Sequence, residues 1–270
     1  MRNETEFLDQ LVSTVLSARK YSQISPPFVR SLALRELRHH RSYKEALKAT
    51  KSKLHQVAGA YQESQPDYAL WLDRLRAAKA TAQPAALQEV CRSLMVHHAS
   101  TRERLPILEI FFQTVLSGLP PIHSVLDVAC GLNPLALPWM GLPPQVEYFA
   151  VDIYQDMLSF LDGFMHLLGI TGRTAAADVL EFSFERAVDL AFVLKAIPCL
   201  EQLDRSAGER LLDSIPAAHL LVTFPVHSLG GRSVGMSDTY SAHMLELVSG
   251  KSWSMRRFEF PTELAFLISR

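Results

Sequence analysis

The sequence holds no apolar run approaching the roughly 20 residues that a membrane-spanning helix requires; its longest apolar stretches, such as the one around Val188 to Leu194, are soon interrupted by charge. Its beginning, MRNETEFLDQ, lacks the basic patch and apolar core of an export signal. Together these absences predict a cytoplasmic protein with no membrane span. Cysteine is scarce: Cys91, Cys130 and Cys199 are an odd number with no CxxC pair. That argues against a disulfide framework or a zinc site and predicts reduced, packed thiols and no metal. Glycine is missing where nucleotide folds concentrate it. Neither GxGxxG nor GxxxxGK[ST] occurs, which argues against dinucleotide and nucleoside-triphosphate chemistry. Internal repeats and low-complexity segments are also lacking.

What remains is 270 residues, 48% of them hydrophobic, enough for one large core and a smaller accessory domain. The net charge of −1 conceals an asymmetry. Residues 1–120 carry 17 Lys and Arg against 11 Asp and Glu, a net of +6, and residues 121–270 carry 10 against 17, a net of −7. Between Arg19 and Lys53 stand ten basic residues with only Glu36 and Glu45 opposing them. A solvated helix face is the bland explanation; set against an acidic remainder, the block predicts a phosphate-rich partner.

Residues 1–118 show helical periodicity and no strand pattern. Phe7, Leu8, Leu11, Val12, Val15 and Leu16 fall on one helical face. Pro26 and Pro27 end that segment, and Ser25 is placed to cap a second helix. A third is predicted from about Tyr43 to Tyr61. Ser100-Thr101-Arg102-Glu103 has the form of a capping box, predicting a helix through RERLPILEIFFQTVL with Pro106 in its first turns. Helix starts bind anions, which makes Ser100 a candidate.

From 119 to 270 short apolar runs alternate with helical segments, the mark of a parallel sheet with crossover helices. The runs are SVLDVA (124–129), VEYFAVDI (146–153), TAAADV (174–179), VDLAFVL (188–194) and HLLVTFPV (219–226). MRRFEF (255–260) and LAFLIS (264–269), separated by Pro261-Thr262-Glu263, complete a terminal antiparallel hairpin. The prediction is an α/β doubly wound, mostly parallel sheet of seven strands behind an N-terminal helical domain.

Ligands of such sheets lie beyond the carboxyl ends of the strands. The first strand runs into Asp127-Val-Ala-Cys-Gly131, where glycine permits close backbone approach. The second ends at Asp152, 25 positions on, where an acid can accept both hydroxyls of a ribose. Two acids capping strand-to-helix turns are the alternative. The third ends at Asp178-Val179, suited to an adenine amino group beside an apolar wall. The fourth ends at Lys195, which must find a polar environment unless it is a plain surface lysine.

Longer segments go further. Lys53-Leu54-His55 with Gly59-Ala60-Tyr61, the octapeptide His98 to Leu105, and Leu126-Asp127-Val128-Ala129-Cys130-Gly131-Leu132-Asn133-Pro134-Leu135-Ala136 stand in order. Leu194-Lys195, Pro198-Cys199-Leu200-Glu201, Phe224-Pro225, Ser228-Leu229-Gly230-Gly231-Arg232, Gly235-Met236 and Glu263-Leu264 follow. In these the chain resembles the aminoglycoside-resistance 16S rRNA guanine-N7 methyltransferases, over most of its length. The resemblance implies a class I fold dependent on S-adenosylmethionine (SAM), with SAM contacts by Tyr61, His98, Ala99, Ser100, Arg104 (to the methionine carboxylate), Ala129, Gly131, Asp152, Asp178 and Val179. It implies Lys195 near the transferred methyl, in a positioning role with no general base.

The resemblance also implies the 30S subunit and its 16S rRNA as partner, with Arg19, Lys20, Lys51, Lys53, His227 and Arg232 as candidate rRNA contacts. Family members often carry Lys or Arg before Ser-Leu-Gly and Lys before Gly-Met; His227 and Val234 stand there instead, so the substrate loop is less basic. A small-molecule methyltransferase would not need the basic domain, a base-activated O-methyltransferase would place His or metal ligands near the fourth strand, and a noncatalytic rRNA-binding factor would not bind SAM.

Overall fold

The computed structural model describes residues 2–59, 66–184, 186–226 and 235–270. Helical periodicity organises the first stretch. α1 (Arg2–Leu16) buries Leu8, Leu11 and Val15, and leaves Phe7 exposed. α2 (Pro26–His39) buries Phe28, Val29, Leu32 and Ala33, while α3 (Tyr43–Leu54) buries Ala46 and Leu54. With Tyr21 and Ile24 these form one hydrophobic cluster. α2 starts after Ser25 with the prolines in its first turn, as predicted. Ser25 does not cap it, because its hydroxyl donates to the Ala176 carbonyl at 3.0 Å. α3 stops at Leu54 and continues only as a π-turn through His55–Gly59. Tyr61, the predicted end, lies outside the described residues.

α4 (Tyr68–Ala80), α5 (Pro84–Met95), α6 (Ala99–Arg104) and α7 (Leu108–Val115) follow. Their buried side chains, from Trp71 to Val115, belong to the core of the sheet and not to the first cluster. The packing therefore separates residues 8–54 from the helices that begin at Tyr68. The capping box at Ser100 does not form. The helix opens two residues earlier, with His98 at the N-cap. Thr101 donates to the Met95 carbonyl at 2.6 Å, and Glu103 turns to an ion pair with Lys195. Pro106 splits the segment: a 3-10 turn, Leu105–Ile107, separates α6 from α7, because proline offers no N–H to a continuous helix.

The strands are β1 (Ser124–Val128), β2 (Glu147–Asp152), β3 (Thr171–Ala176), β4 (Val188–Leu194), β5 (Ala217–Pro225), β6 (Ser254–Glu259) and β7 (Glu263–Ser269). α8 (Leu137–Met140) and α9 (Gln155–Leu168) join β1 to β2 and β2 to β3; α10 (Ile197–Glu201) and α11 (Ala207–Ser214) lead from β4 to β5; α12 (Met236–Leu247) precedes β6. They form one seven-stranded sheet in the order β3-β2-β1-β4-β5-β7-β6, with β7 antiparallel to both neighbours. Alternation along the strands fills two cores: Leu190 and Phe192 enter one, Ala191 and Val193 the other.

β3 departs from expectation by three residues, running 171–176 where 174–179 was predicted. Its pairing with β2 ends at Asp152 opposite Ala176, and Asp178 begins a turn in which its Oδ1 accepts the Leu180 N–H at 3.0 Å. Aspartate favours such turns over strand interiors. The N-terminal cluster is fastened to the strand ends: Ser25 N–H donates to Ile153 O at 2.7 Å and Gln155 N–H to Gln23 O at 2.9 Å, with a bridge between Ile24 and Tyr154. Among the described residues no helix is long and apolar enough to cross a membrane, and no group of three His, Cys, Asp or Glu is placed to hold a metal.

Candidate active site

The carboxyl ends of β1 to β4 open on one cleft. Ala129 stands beyond β1, Asp152 at the end of β2, Asp178 and Val179 beyond β3, and Lys195 beyond β4; His98 and Ser100 of the α6 start complete the polar wall. Ile153, Tyr154, Cys199 and Leu200 supply an apolar side, joined by Phe28 of α2 and Val57 from the turn after α3. Of the predicted cofactor residues, His98, Ser100, Ala129, Asp152, Asp178, Val179 and Lys195 are thus brought together. Ala99 is buried beside them. Tyr61, His227 and Arg232 lie outside the described residues.

Backbone strain marks the turns that carry the site. Ala129 (φ 51°) and Lys195 (φ 59°) hold the left-handed conformation that side chains rarely adopt, a strain that tends to collect at functional sites. Gly131 (φ +50°) has a second constraint: a Cβ there would lie 2.6 Å from His98 Cε1. Its N–H donates to Asp152 Oδ2 at 2.9 Å, while Asp152 Oδ1 accepts the N–H of Ile153 at 2.6 Å and of Tyr154 at 3.4 Å. Burial raises the Asp152 carboxyl above its ordinary range despite those three donors. Burial raises Asp178 likewise, against the pull of the Leu180 N–H and Arg35. His98 is driven down to about 4, first by burial and then by the nearby charges of Arg104, Lys195 and Arg102. It is a neutral imidazole at physiological pH.

Beneath the cleft runs a buried polar network that sequence reasoning largely missed. Arg104, wholly buried, does not reach the cleft wall. Its Nε and Nη2 donate to the Glu263 carboxylate at 2.7–3.2 Å, and its Nη1 to Asn133 Oδ1 at 2.9 Å. Asn133 Nδ2 donates in turn to Asp127 Oδ2 at 2.9 Å, which also accepts from the Tyr148 hydroxyl at 2.6 Å. Asp127 therefore looks inward and is not a cleft residue; burial pushes it up to about 7. On the other side Lys195 Nζ sits 2.8 Å from Glu103 and 3.3 Å from Glu263. A buried cation needs such partners, and Lys195 is a buried lysine rather than a surface one. Burial alone would raise Glu263, but Arg104 and Lys195 hold it below the ordinary glutamate value. The one hint was an acid opening the otherwise apolar run ELAFLIS.

Of the candidate rRNA residues, Arg19, Lys20, Lys51 and Lys53 belong to the N-terminal layer, and the first three lie together. Tyr21 donates to the Lys51 carbonyl at 3.3 Å, bringing the turn of Arg19 and Lys20 against the end of α3, and Lys20 Nζ lies 2.9 Å from His55 Nδ1. Arg19 and Lys20 are exposed. Lys53 is committed to the buried carboxylate of Glu36 at 2.6 Å.

Comparison with known proteins places nearly the whole chain beside named relatives. A family model described as Ribosomal RNA methyltransferase (FmrO) matches residues 17–267. A 16S rRNA (guanine(1405)-N(7))-methyltransferase of Micromonospora echinospora is 37% identical over 97% of both chains. One of Frankia casuarinae is 37% identical over 99% of this chain and 95% of its own. The crystal structure of the 16S rRNA methyltransferase RmtF in complex with S-adenosyl-L-homocysteine superposes with a TM-score of 0.80 at 31% identity, covering 98% of each chain.

Proposed function

Because the chain belongs to the ribosomal RNA methyltransferase (FmrO) family, we propose that it transfers a methyl group from SAM to N7 of a guanine in the decoding A site of 16S rRNA in the 30S subunit, and so confers aminoglycoside resistance. The observation that carries the reading is the cleft itself: two carboxylates, Asp152 at the end of β2 and Asp178 in the turn after β3, face it beside an apolar wall and a loop with a single glycine and no phosphate cradle. That donor set suits a nucleoside without phosphates. Asp178 Oδ2 is buried with no hydrogen-bond partner, an acceptor in want of a donor such as an adenine amino group. Asp152 accepts from a ribose. Ala129 and Gly131 flank the methionine portion.

SAM, when bound, supplies an electrophilic methyl group. Guanine N7 has a lone pair and no proton, so the chain removes none, consistent with a neutral His98 and an ion-paired Lys195. Its work is positioning, which can lower a barrier by several kcal/mol, after the base has been turned out of the folded RNA at a cost of a few kcal/mol. Arg19, Lys20, Lys51, Lys53, His227 and Arg232 dock the enzyme through phosphates and shape. The methylated guanine carries a positive charge, which repels a polycationic drug.

Purified 30S subunits incubated with labelled SAM should incorporate one N7-methylguanine in the 16S rRNA, and reversing the charges of Arg19, Lys20 and Lys51 should weaken 30S binding at least about tenfold with a shallower salt dependence. SAM binding without label in 16S rRNA would overturn the assignment.

A further inference from the structure

At the adenosine end of the cleft the lining residue Asp178 and Arg35, whose side chain is 34% exposed and does not itself line the cleft, face each other through buried atoms without bonding. Asp178, 7% exposed, has its Oδ2 buried and without a hydrogen-bond partner. Arg35 of α2 has Nε and Nη2 in the same condition. Its Nη2 stands 4.0 Å from Asp178 Oδ2, beyond hydrogen-bond reach. Orphaned buried polar groups are rare and call for a partner. Here a donor, an acceptor and the gap between them occur together.

The position of Arg35 follows from the fold. It lies seven residues after Phe28, two helical turns along the same face of α2, and Phe28 lines the cleft. The start of α2 is held to the loops after β2 and β3 by the bonds of Ser25 to Ile153 O and Ala176 O. The N-terminal helical layer thus leans directly on the turn that carries Asp178.

We infer that Arg35 is a cofactor-specificity residue: with Asp178 it reads one edge of the adenine of SAM, Asp178 Oδ2 accepting from the exocyclic amino group and Arg35 donating to the adjacent ring nitrogen. The inference rests on the cofactor assigned under Proposed function. Adenine presents an amino donor directly beside a ring-nitrogen acceptor on either edge, whereas guanine presents two acceptors on its N7 edge and an acceptor beside a ring N–H donor on its N1 edge. A carboxylate oxygen next to a guanidinium N–H, in that order, is the complement of the first pattern and opposes the others. A donor from α2 also means that the basic docking layer completes the cofactor site.

The test is binding of S-adenosylhomocysteine and of its 1-deaza and 7-deaza adenine analogues, each lacking one ring acceptor, measured by calorimetry on the full chain. The wild-type protein should bind one analogue at least about tenfold more weakly than the parent, the loss of one charge-assisted hydrogen bond. Arg35→Ala should weaken the parent by a similar factor and bind it and that analogue within about twofold of each other. Arg35→Met keeps the length of the side chain without its donors and should behave alike if the alanine variant folds poorly. If Arg35 only counters the charge of Asp178, its removal weakens parent and analogues equally and discrimination persists, which overturns the inference; so does a wild-type protein indifferent to both analogues. Failure of the wild-type protein to bind S-adenosylhomocysteine at all would instead strike the cofactor assignment.

Discussion

Replacing Glu263 with alanine is expected to destabilise the protein by about 3–5 kcal/mol, the cost typical of stripping one partner from a buried ion pair. The carboxylate is wholly buried, takes three of the hydrogen-bond contacts of Arg104 and lies 3.3 Å from Lys195. Its loss leaves Arg104 fully buried with the neutral Asn133 and the ring face of Phe111 as its partners, and leaves Lys195 with Glu103, which is 30% exposed and screened by solvent. For a chain of this size the midpoint of thermal unfolding should fall by roughly 10 °C or more. The folded-state value of Glu263 lies below its ordinary one, so its contribution is present above the ordinary glutamate range and is lost as pH falls through the lowered value. Glu263→Gln, with hydrogen-bonding groups but no charge, should fall between wild type and alanine and lack that acid-side loss. Denaturant titrations at pH 7 and in acid measure both effects. An alanine variant within about 1 kcal/mol of wild type would mean that Arg104 and Lys195 reach water, and that the network is not closed.

The contrast between Glu263 and Asp152 shows which kind of site information a linear sequence carries. Asp152, Asp178 and Lys195 were legible because strand ends can be located from apolar runs, and the topology of a doubly wound sheet brings those ends together whatever lies between them. β4 was located to the residue for the same reason: VDLAFVL is buried on both faces from Leu190 to Leu194 and is followed by the charge of Lys195. Arg104 and Glu263 are 159 positions apart, and no local period or motif relates a helix residue to the first residue of an antiparallel strand. Hence the partner of Arg104 was missed. The capping box failed differently. Its residues fit the local rule, but Glu103 gains a charged partner in Lys195 and Thr101 a buried carbonyl acceptor, so tertiary bonding won over the local cap. Phe28 was invisible as a site residue because it belongs to a separate hydrophobic cluster, which the bonds of Ser25 and Gln23 and the Ile24–Tyr154 bridge bring to the cleft.

Asp152→Ala should lower SAM affinity by about 10- to 10²-fold. Three of its roughly four acceptor positions are taken by backbone N–H groups, leaving one charge-assisted hydrogen bond to a ribose hydroxyl, worth about 1.5–3 kcal/mol, which corresponds to that range. The more telling variant is Asp152→Asn. Usually an amide retains half of what a carboxylate does, because one oxygen remains. Here both oxygens are already in use by backbone donors, Oδ2 by Gly131 and Oδ1 by Ile153 and Tyr154. Either orientation of an asparagine sets its NH₂ against a backbone N–H, so the side chain must rotate away or release the glycine loop. Asparagine should therefore bind SAM as poorly as alanine, with a loss of thermal stability that the ribose contacts alone would not produce. The pH dependence follows from the same burial. Because the Asp152 carboxyl is raised above its ordinary range, the ionised form that accepts these donors is lost on acidification at a higher pH than for an exposed aspartate, and wild-type affinity should decline with it. Calorimetric titration with SAM across that range checks the profile, and an asparagine variant within about fivefold of wild type would show that the Gly131 loop does not depend on this carboxylate.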